Sequence, residues 1–471
     1  MTSSPGTAEK PLRVAIVGSG PAGFYAAGHL LKSKDVTAQV DMFDRLPTPW
    51  GLVRAGVAPD HPNIKAVSRV YEKTAAHPEF RFYGNVELGR DLSRDALMGL
   101  YHAVIYAVGA QTDKQLGIPG EDLPGSWAAT ELVAWYNGHP DYRELEFDFS
   151  CERAIVIGNG NVAADVARML ALSDDELRTT DVADYALEPL RDSRIREIVV
   201  LGRRGPAQTA FTNPELLELG EMTDADVFVD PADVELDEHS RLSIEGEGEL
   251  TARRNVEILT DYSRREPTGK PKRIVLRFLV SPVEIAGQGS VERVTIARNE
   301  LYRDAGGTMR ARSTEHRETL PCGIVFRSIG YRGVPLAGLP FDEVRGTIPN
   351  EQGRVIHPGT SERVPGEYVV GWIKRGPTGV IGTNKRDAQE TVDLLMEDAA
   401  EELLPEPESP DREALEELLR SRRPDYVSYG GWEAIDRRER EAGEPQGRPR
   451  VKLTSFEELL EAAADADRER V

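Results

Sequence analysis

Apolar and polar positions along the chain fall into one pattern, used twice. Leu12–Val17 is a short apolar run, residues 21–31 carry apolar side chains at helical spacing, and Ala38–Phe43 reads again as a strand. A glycine- and proline-rich stretch, 46–62, has no regular period, and the unit closes on an apolar run from Ala103 that ends in Gly109. The same order then restarts with a strand at Arg153–Ile157, a loop at 158–160, a helix over 162–172 and, after a charged insertion, a strand at Glu197–Leu201. Residues 225–300 hold short alternating runs that predict an antiparallel layer. A run at 323–329 ends in Gly330, as the first unit ended in Gly109. Residues 367–400 return to strand, glycine-rich turn and a helix from about Asn384. The tail, 401–471, is charged, helical in pattern and broken near 405–410 and 443–449, which reads as a solvated face. The pattern predicts an α/β fold of two Rossmann-like dinucleotide-binding domains, the second inserted into the first. The expected boundaries are 1–111 and 331–471 for the outer domain and 112–330 for the inserted one.

Composition narrows what such a fold can do. A chain of 471 residues suits two domains, and 29% charged against 39% hydrophobic residues suits a globular protein. The net charge of -22 repels nucleic-acid backbones, so DNA and RNA are excluded as partners. No run approaches the roughly 20 apolar residues of a membrane span. Residues 1–10 are polar and lack the apolar centre of a secretory signal, so the expected location is the cytoplasm. Cys151 and Cys322 are the only cysteines, and neither lies in a CxxC pair. That argues against an internal redox disulfide, a zinc site or a bound iron–sulfur cluster, and no metal is expected.

Two glycine loops carry the chemistry. Gly18, Gly20 and Gly23 form a GxGxxG with Pro21 and Ala22, directly after a strand and before a helix. The spacing gives a tight turn, a backbone open to a pyrophosphate and close helix–strand packing. The fingerprint asks for an acid about 20 residues on, to accept from ribose hydroxyls, and Asp44 stands there. The second loop, with Gly158, Gly160, Asn161, Val162 and Ala163, has the GxGxxA form. Its second strand ends not in an acid but in Arg203 and Arg204, which a 2′-phosphate needs. The first loop therefore reads as an FAD site and the second as an NADPH site, with hydride passing between the cofactors.

Longer signatures then resemble a family. Residues 46–62, which include Gly51, Leu52 and His61, are similar to the flavin-side signature of adrenodoxin reductase and its actinobacterial FprA-type relatives, the NADPH–ferredoxin reductases. Segments 158–168, 202–206, 210–215 and 371–384 match in the same order, so the resemblance covers nearly the whole chain. It implies that Asp44 binds the FAD ribose where the family usually has Glu. It implies flavin contacts from Gly51, Leu52, Val86, Gly109, Trp372, Gly379, Val380 and Ile381. It also implies a 2′-phosphate clamp of Arg203 and Arg204, and a pyrophosphate turn at Asn161 and Val162. His61 and Glu215 match two polar residues near the reacting rings, with positioning of the nicotinamide as the simpler role, since direct hydride transfer needs no general base.

The expected activity is that of a ferredoxin–NADP+ reductase: hydride from NADPH to FAD, then single electrons to an external ferredoxin. A basic docking patch is expected despite the net charge, and the assembly is expected to be a monomer or weak dimer. The rival readings are an NADPH diaphorase or quinone reductase of the same fold and a non-catalytic nucleotide-binding sensor.

Overall fold

The computed structural model describes residues 5–246 and 249–468; the first four residues of the polar N-terminal stretch lie outside them. Leu12–Val17, buried at all six positions, is flanked by Ala38–Phe43 and Ala103–Tyr106, both parallel to it. Phe80–Gly84 and Arg363–Val369 extend this parallel core on either side. Short antiparallel strands close its edges, Arg354–Ile356 and Asn350–Glu351 on one side and Val427–Ser428 on the other, giving eight strands. Continuous apolar runs are what a sheet covered on both faces requires.

The second sheet has six strands, all parallel: Ser126–Ala128, Ile324–Arg327, Arg153–Ile157, Glu197–Leu201, Lys272–Arg277 and Ala225–Val229, in that spatial order. The chain crosses between the sheets twice, and the crossings pair with each other: Thr112–Asp113 runs antiparallel to Tyr331–Arg332. One α/β unit is thus inserted into another.

The reading of 225–300 is corrected in part. Ala225–Val229 joins the parallel sheet, and Glu238–Ile244 and Leu250–Tyr262 are helices. Leu250–Tyr262 buries Asn255, Ile258, Leu259 and Tyr262, the stripe of one helix face. The antiparallel layer is a three-stranded arm of Val280–Ala286, Arg293–Arg303 and Met309–Pro321.

The tail also departs from expectation. Trp432, Ile435, Leu459 and Ala462 pack into the core of the first sheet. Arg448 and Lys452, nearly buried, reach across to the inserted unit. Arg448 donates through Nε to the Thr180 carbonyl at 3.0 Å and through Nη2 to the Val182 carbonyl. Lys452 Nζ donates to Asn137 Oδ1 at 3.1 Å and lies 3.4 Å from Asp181 Oδ2, while Lys65 from the first unit donates to Asp181 Oδ1 at 2.6 Å. Burial would raise the pKa of Asp181, but Lys452 and Lys65 outweigh it and hold the carboxyl at about 2.

Removing one partner of a buried charge cluster leaves the others uncompensated, at a cost of about 3–5 kcal/mol. Asp181→Asn is therefore expected to lower the denaturant midpoint strongly. Asp184→Asn, at a side chain 57% exposed, costs less than about 1 kcal/mol. Equal midpoints for the two variants would show that the tail does not staple the units through Asp181.

Candidate dinucleotide and active site

The first glycine loop is built by close approach. Gly18 has φ +108°, and a Cβ there would lie 2.5 Å from the Ala107 carbonyl oxygen. A Cβ at Gly23 would fall 2.2 Å from the Gly18 carbonyl oxygen, whereas one at Gly20 would meet nothing within 4 Å. Turn, open face and helix–strand contact thus fall where the spacing predicts them. The helix Pro21–Leu30 starts there with no side-chain cap, leaving its first N–H groups available to an anion.

Other segments converge on this helix start. Trp50 donates its N–H to the Ser19 carbonyl at 3.1 Å, and a Cβ at Gly51 would stand 2.8 Å from Gly20 Cα. Leu52 next to it is 43% exposed. A Cβ at Gly371 would lie 2.7 Å from Ala22 Cβ, which sets Trp372 beside the loop. Trp372 stacks on Tyr331 at 5.2 Å, and its Nε1 is buried with no hydrogen-bond partner. Gly379 has φ +81°, Ile381 is half-buried, and Val380 is 56% exposed just before the uncapped helix Thr383–Ala400. Gly109, at φ +71°, faces open space. Exposed apolar side chains, an orphaned indole N–H and a bare glycine face fit a dinucleotide with a flat aromatic ring.

Asp44 is engaged by the chain itself. Its Oδ2 accepts from the Ser19 N–H at 2.9 Å and from the Ser19 hydroxyl, and its Oδ1 accepts from the Leu46 N–H at 2.9 Å. Burial raises its pKa against those bonds. The short side chain ties the glycine loop to the end of the second strand. Val86, fully buried, donates its N–H to the Asp44 carbonyl at 2.9 Å.

The second loop repeats the construction. Gly158 has φ +135° and would drive a Cβ to within 2.0 Å of the Ser328 carbonyl oxygen, while Gly160 faces only Ala210 Cβ at 3.7 Å. Helix Asn161–Ala171, which carries Val162 in its first turn, begins without a side-chain cap. Asn161 Oδ1 accepts from the Thr212 N–H at 2.8 Å, so the loop carrying Glu215 is fastened to the glycine turn. At the end of the Glu197–Leu201 strand, Arg203 is exposed and Arg204 half-buried, and neither has a carboxylate partner among the described residues.

Between the two loops lies a buried charge cluster centred on Arg168, a residue the sequence reading did not single out. Its guanidinium, 4% exposed, pairs with Asp60 at 2.8 Å, Asp165 at 2.9 Å, and Glu215 and Glu218 at 3.3 Å each. Arg168 Nη2 also lies 3.3 Å from His61 Nδ1. A guanidinium only donates, so Nδ1 is the acceptor on that side, and Nε2 faces Glu218 Oε2 at 2.8 Å. His61 Nδ1 stands 3.9 Å from both Glu215 Oε1 and Asp165 Oδ1. His61 and Glu215, remote in sequence, are thus brought together. The nearby ligand-type atoms of His61, Asp165 and Glu215 surround a guanidinium, so a cation already sits among them. Burial raises the pKa of Glu215, and burial with the charges of Glu215 and Asp60 lifts Asp165 to about 7 against the charge of Arg168. The local signals for the missed residues were faint: Asp60 precedes His61, and Asp165 and Glu218 stand one helical turn from Arg168 and Glu215.

Cys151 and Cys322 are free thiols at the opposite end of the inserted sheet, at the starts of adjacent strands. Burial raises both, Cys322 to about 12, which keeps them protonated and inert.

Comparisons with known proteins follow this geometry. The family described as pyridine nucleotide-disulphide oxidoreductase matches residues 12–200. NADPH-ferredoxin reductase FprA of Mycobacterium leprae is 54% identical over 452 residues, 95% of this chain and 97% of that protein. The mitochondrial NADPH:adrenodoxin oxidoreductase of Arabidopsis thaliana is 42% identical over 475 residues, covering 97% and 96%. The solved structure of Mycobacterium tuberculosis FprA in complex with NADPH superposes with a TM-score of 0.91 at 50% identity, covering 97% of this chain and 100% of that one.

A carboxyl raised from 3.8 to about 7 keeps a proton in the folded chain that the unfolded chain has released. Stability therefore falls as pH rises through that interval and levels off above it. Asp165→Asn is expected to remove on the order of 3 kcal/mol of that decline, read by urea unfolding at about pH 5 and about pH 7.5. A variant that keeps the full decline would place the proton on another group.

Proposed function

The chain belongs to the FprA-type NADPH–ferredoxin reductases, and we propose that residues 1–111 and 331–471 hold FAD while 112–330 hold NADPH. It is an FAD-dependent oxidoreductase that moves electrons from NADPH to a ferredoxin. Bound FAD supplies the central chemistry, taking two electrons with a hydride and releasing them singly. The observation that carries the site assignment is the contrast between two similar glycine loops, one followed by an acid and the other by two arginines without carboxylate partners among the described residues.

The chain's own residues hold and align. Gly18 to Gly23 present the uncapped start of helix Pro21–Leu30 to the FAD pyrophosphate. Asp44 sets that loop through Ser19 and Leu46, so its part in ribose binding is shared with the loop it braces. Gly51, Leu52, Val86, Gly109, Trp372, Gly379, Val380 and Ile381 form the flavin walls. The start of helix Asn161–Ala171 takes the NADPH pyrophosphate through Asn161 and Val162, and Arg203 and Arg204 clamp the 2′-phosphate. His61 and Glu215 hold the nicotinamide, with Arg168 fixing both. Holding two rings in register is the main catalytic contribution open to side chains here.

With only two cysteines in the chain, both inert thiols, the single electrons leave to an external iron–sulfur partner. No helix among the described residues is long and apolar enough to cross a membrane, and we place the protein in the cytoplasm as a monomer or weak dimer. Ferredoxins are typically acidic, so a basic patch should receive the partner and docking should weaken with salt.

Anaerobic NADPH is expected to bleach the flavin absorbance faster than NADH does, and an added two-iron ferredoxin to restore it. Bleaching without electron transfer to any ferredoxin would move the activity to a diaphorase or quinone reductase. Arg203→Ala combined with Arg204→Ala is expected to abolish most of the preference for NADPH over NADH, on the order of a hundredfold. Unchanged discrimination would end the clamp assignment.

A further inference from the structure

The arginine turn does not stand alone. The carbonyls of Gly202, Arg203 and Arg204 are each held by the three-stranded arm or the residue leading into it. The Val280 N–H donates to the Gly202 oxygen at 3.1 Å, and the Leu279 N–H to the Arg204 oxygen at 3.1 Å. The Asn299 side-chain amide donates to the Arg203 oxygen at 2.8 Å. Leu279 adopts φ +55°, unusual for a branched side chain, so this junction is held by its surroundings.

Asn299 is 3% exposed and fully engaged. Its amide also donates to Ser281 Oγ at 2.7 Å, and its Oδ1 accepts from Ser313 Oγ at 3.1 Å. It sits at the register break of the Arg293–Arg303 strand, opposite Ser313. Two residues further, Leu301 Cδ1 would be 3.7 Å from a Cβ at Gly205, so the arm packs along the turn. Arg310 stands opposite Tyr302 near the arm's tip, where it pairs with Asp304 at 2.9 Å. Leu301, beside the Gly205 turn, immediately precedes Tyr302, the cross-strand partner of Arg310, so the register puts Arg310 on the part of the arm next to the turn. Burial lowers the pKa of Arg204, and the like charges of Arg203 and then Arg310 lower it further. A phosphate dianion would relieve that repulsion.

We propose that the arm Val280–Pro321 is the second wall of the 2′-phosphate site, with Asn299 as a positioning residue for the arginine turn and Arg310 as a third phosphate contact. This rests on the reading of Arg203 and Arg204 as the clamp. The 2′-phosphate enters between the turn and the arm's tip, and Arg310 exchanges part of its bond to Asp304 for a bond to phosphate. Asn299 contributes no charge; it fixes the direction in which the two arginines leave the backbone.

The test uses the flavin-loaded full chain. Affinity for adenosine 2′,5′-bisphosphate and for adenosine 5′-monophosphate is measured by calorimetry in the wild type, Arg310→Gln, Asn299→Asp and the Arg203→Ala/Arg204→Ala pair. Arg310→Gln, at a side chain 57% exposed, is expected to fold normally and to weaken the bisphosphate about five- to tenfold while sparing the monophosphate. Asn299→Asp keeps the shape but replaces the donor facing the Arg203 oxygen. Its effect is expected on KM for NADPH rather than on kcat, with KM for NADH unmoved, a split that general misfolding would not produce. Arg310→Gln binding both nucleotides as the wild type does, or losing both equally, would overturn the proposal. If the double arginine variant also keeps its discrimination, the clamp reading fails; if that variant loses it while Arg310→Gln and Asn299→Asp keep it, only the arm's role fails.

Discussion

A buried guanidinium cannot remain unpaired, and the arrangement around Arg168 follows from that constraint. Its 4% exposed head needs carboxylates at fixed distance, and they come from both units: Asp60 from the loop of the first sheet, Asp165, Glu215 and Glu218 from the inserted one. Satisfying Arg168 therefore fixes the approach of one glycine loop to the other. His61 is caught in the same grip, between Arg168 on Nδ1 and Glu218 on Nε2, so its tautomer is decided by the neighbours. The carboxylates outnumber the cation, and with burial their mutual repulsion raises Asp165 and Glu215.

The glycine loops and this cluster are complementary devices. At Gly18, Gly23 and Gly158 a side chain would collide with backbone oxygen, whereas at Gly20 and Gly160 the missing side chain leaves an open face in front of a helix start. The loops present uncapped helix starts with free N–H donors, and the ionic cluster lies between them. The inert thiols stand at the far end of the inserted sheet, away from both. One loop design is thus used twice, with different residues after the second strand: Asp44 in one unit, Arg203 and Arg204 in the other.

What the sequence made legible was local. Strands such as Leu12–Val17 and Arg153–Ile157, and the turn–helix junctions after them, are specified by neighbours within a few residues, so period and glycine spacing reveal them. The antiparallel assignment of 225–300 failed where a helical stripe, Asn255, Ile258, Leu259 and Tyr262, was masked by charged residues between its members. The roles of Arg168 and of the tail were not legible. Arg168 meets Asp60 across 108 positions, and Arg448 meets Thr180 across 268. In a highly charged tail, the few side chains that turn inward look like the many that do not, and Arg448 and Lys452 differ from their neighbours only in burial. His61 and Glu215 were legible as candidates through a signature, but the guanidinium joining them needed the fold.

Charge placement explains why an arginine pair without carboxylate partners among the described residues carries weight in so acidic a chain. With 80 acidic residues against 58 basic ones, a carboxylate is rarely far from an arginine, and the guanidinium groups that reach between elements take them as partners. Among the described residues Arg203 and Arg204 pair with no carboxylate, and the three carbonyls of their turn are occupied by the arm side. Arg204 bears both burial and like-charge repulsion there, which lowers its pKa. A folded chain retains such an unfavourable arrangement where a ligand relieves it, and a phosphate is the anion whose shape a pair of guanidinium forks matches. The repulsion at the turn is thus the counterpart of the pairing at Arg168: one site surrounds its cation with carboxylates from both units, and the other sets two cations side by side with no carboxylate partner among the described residues.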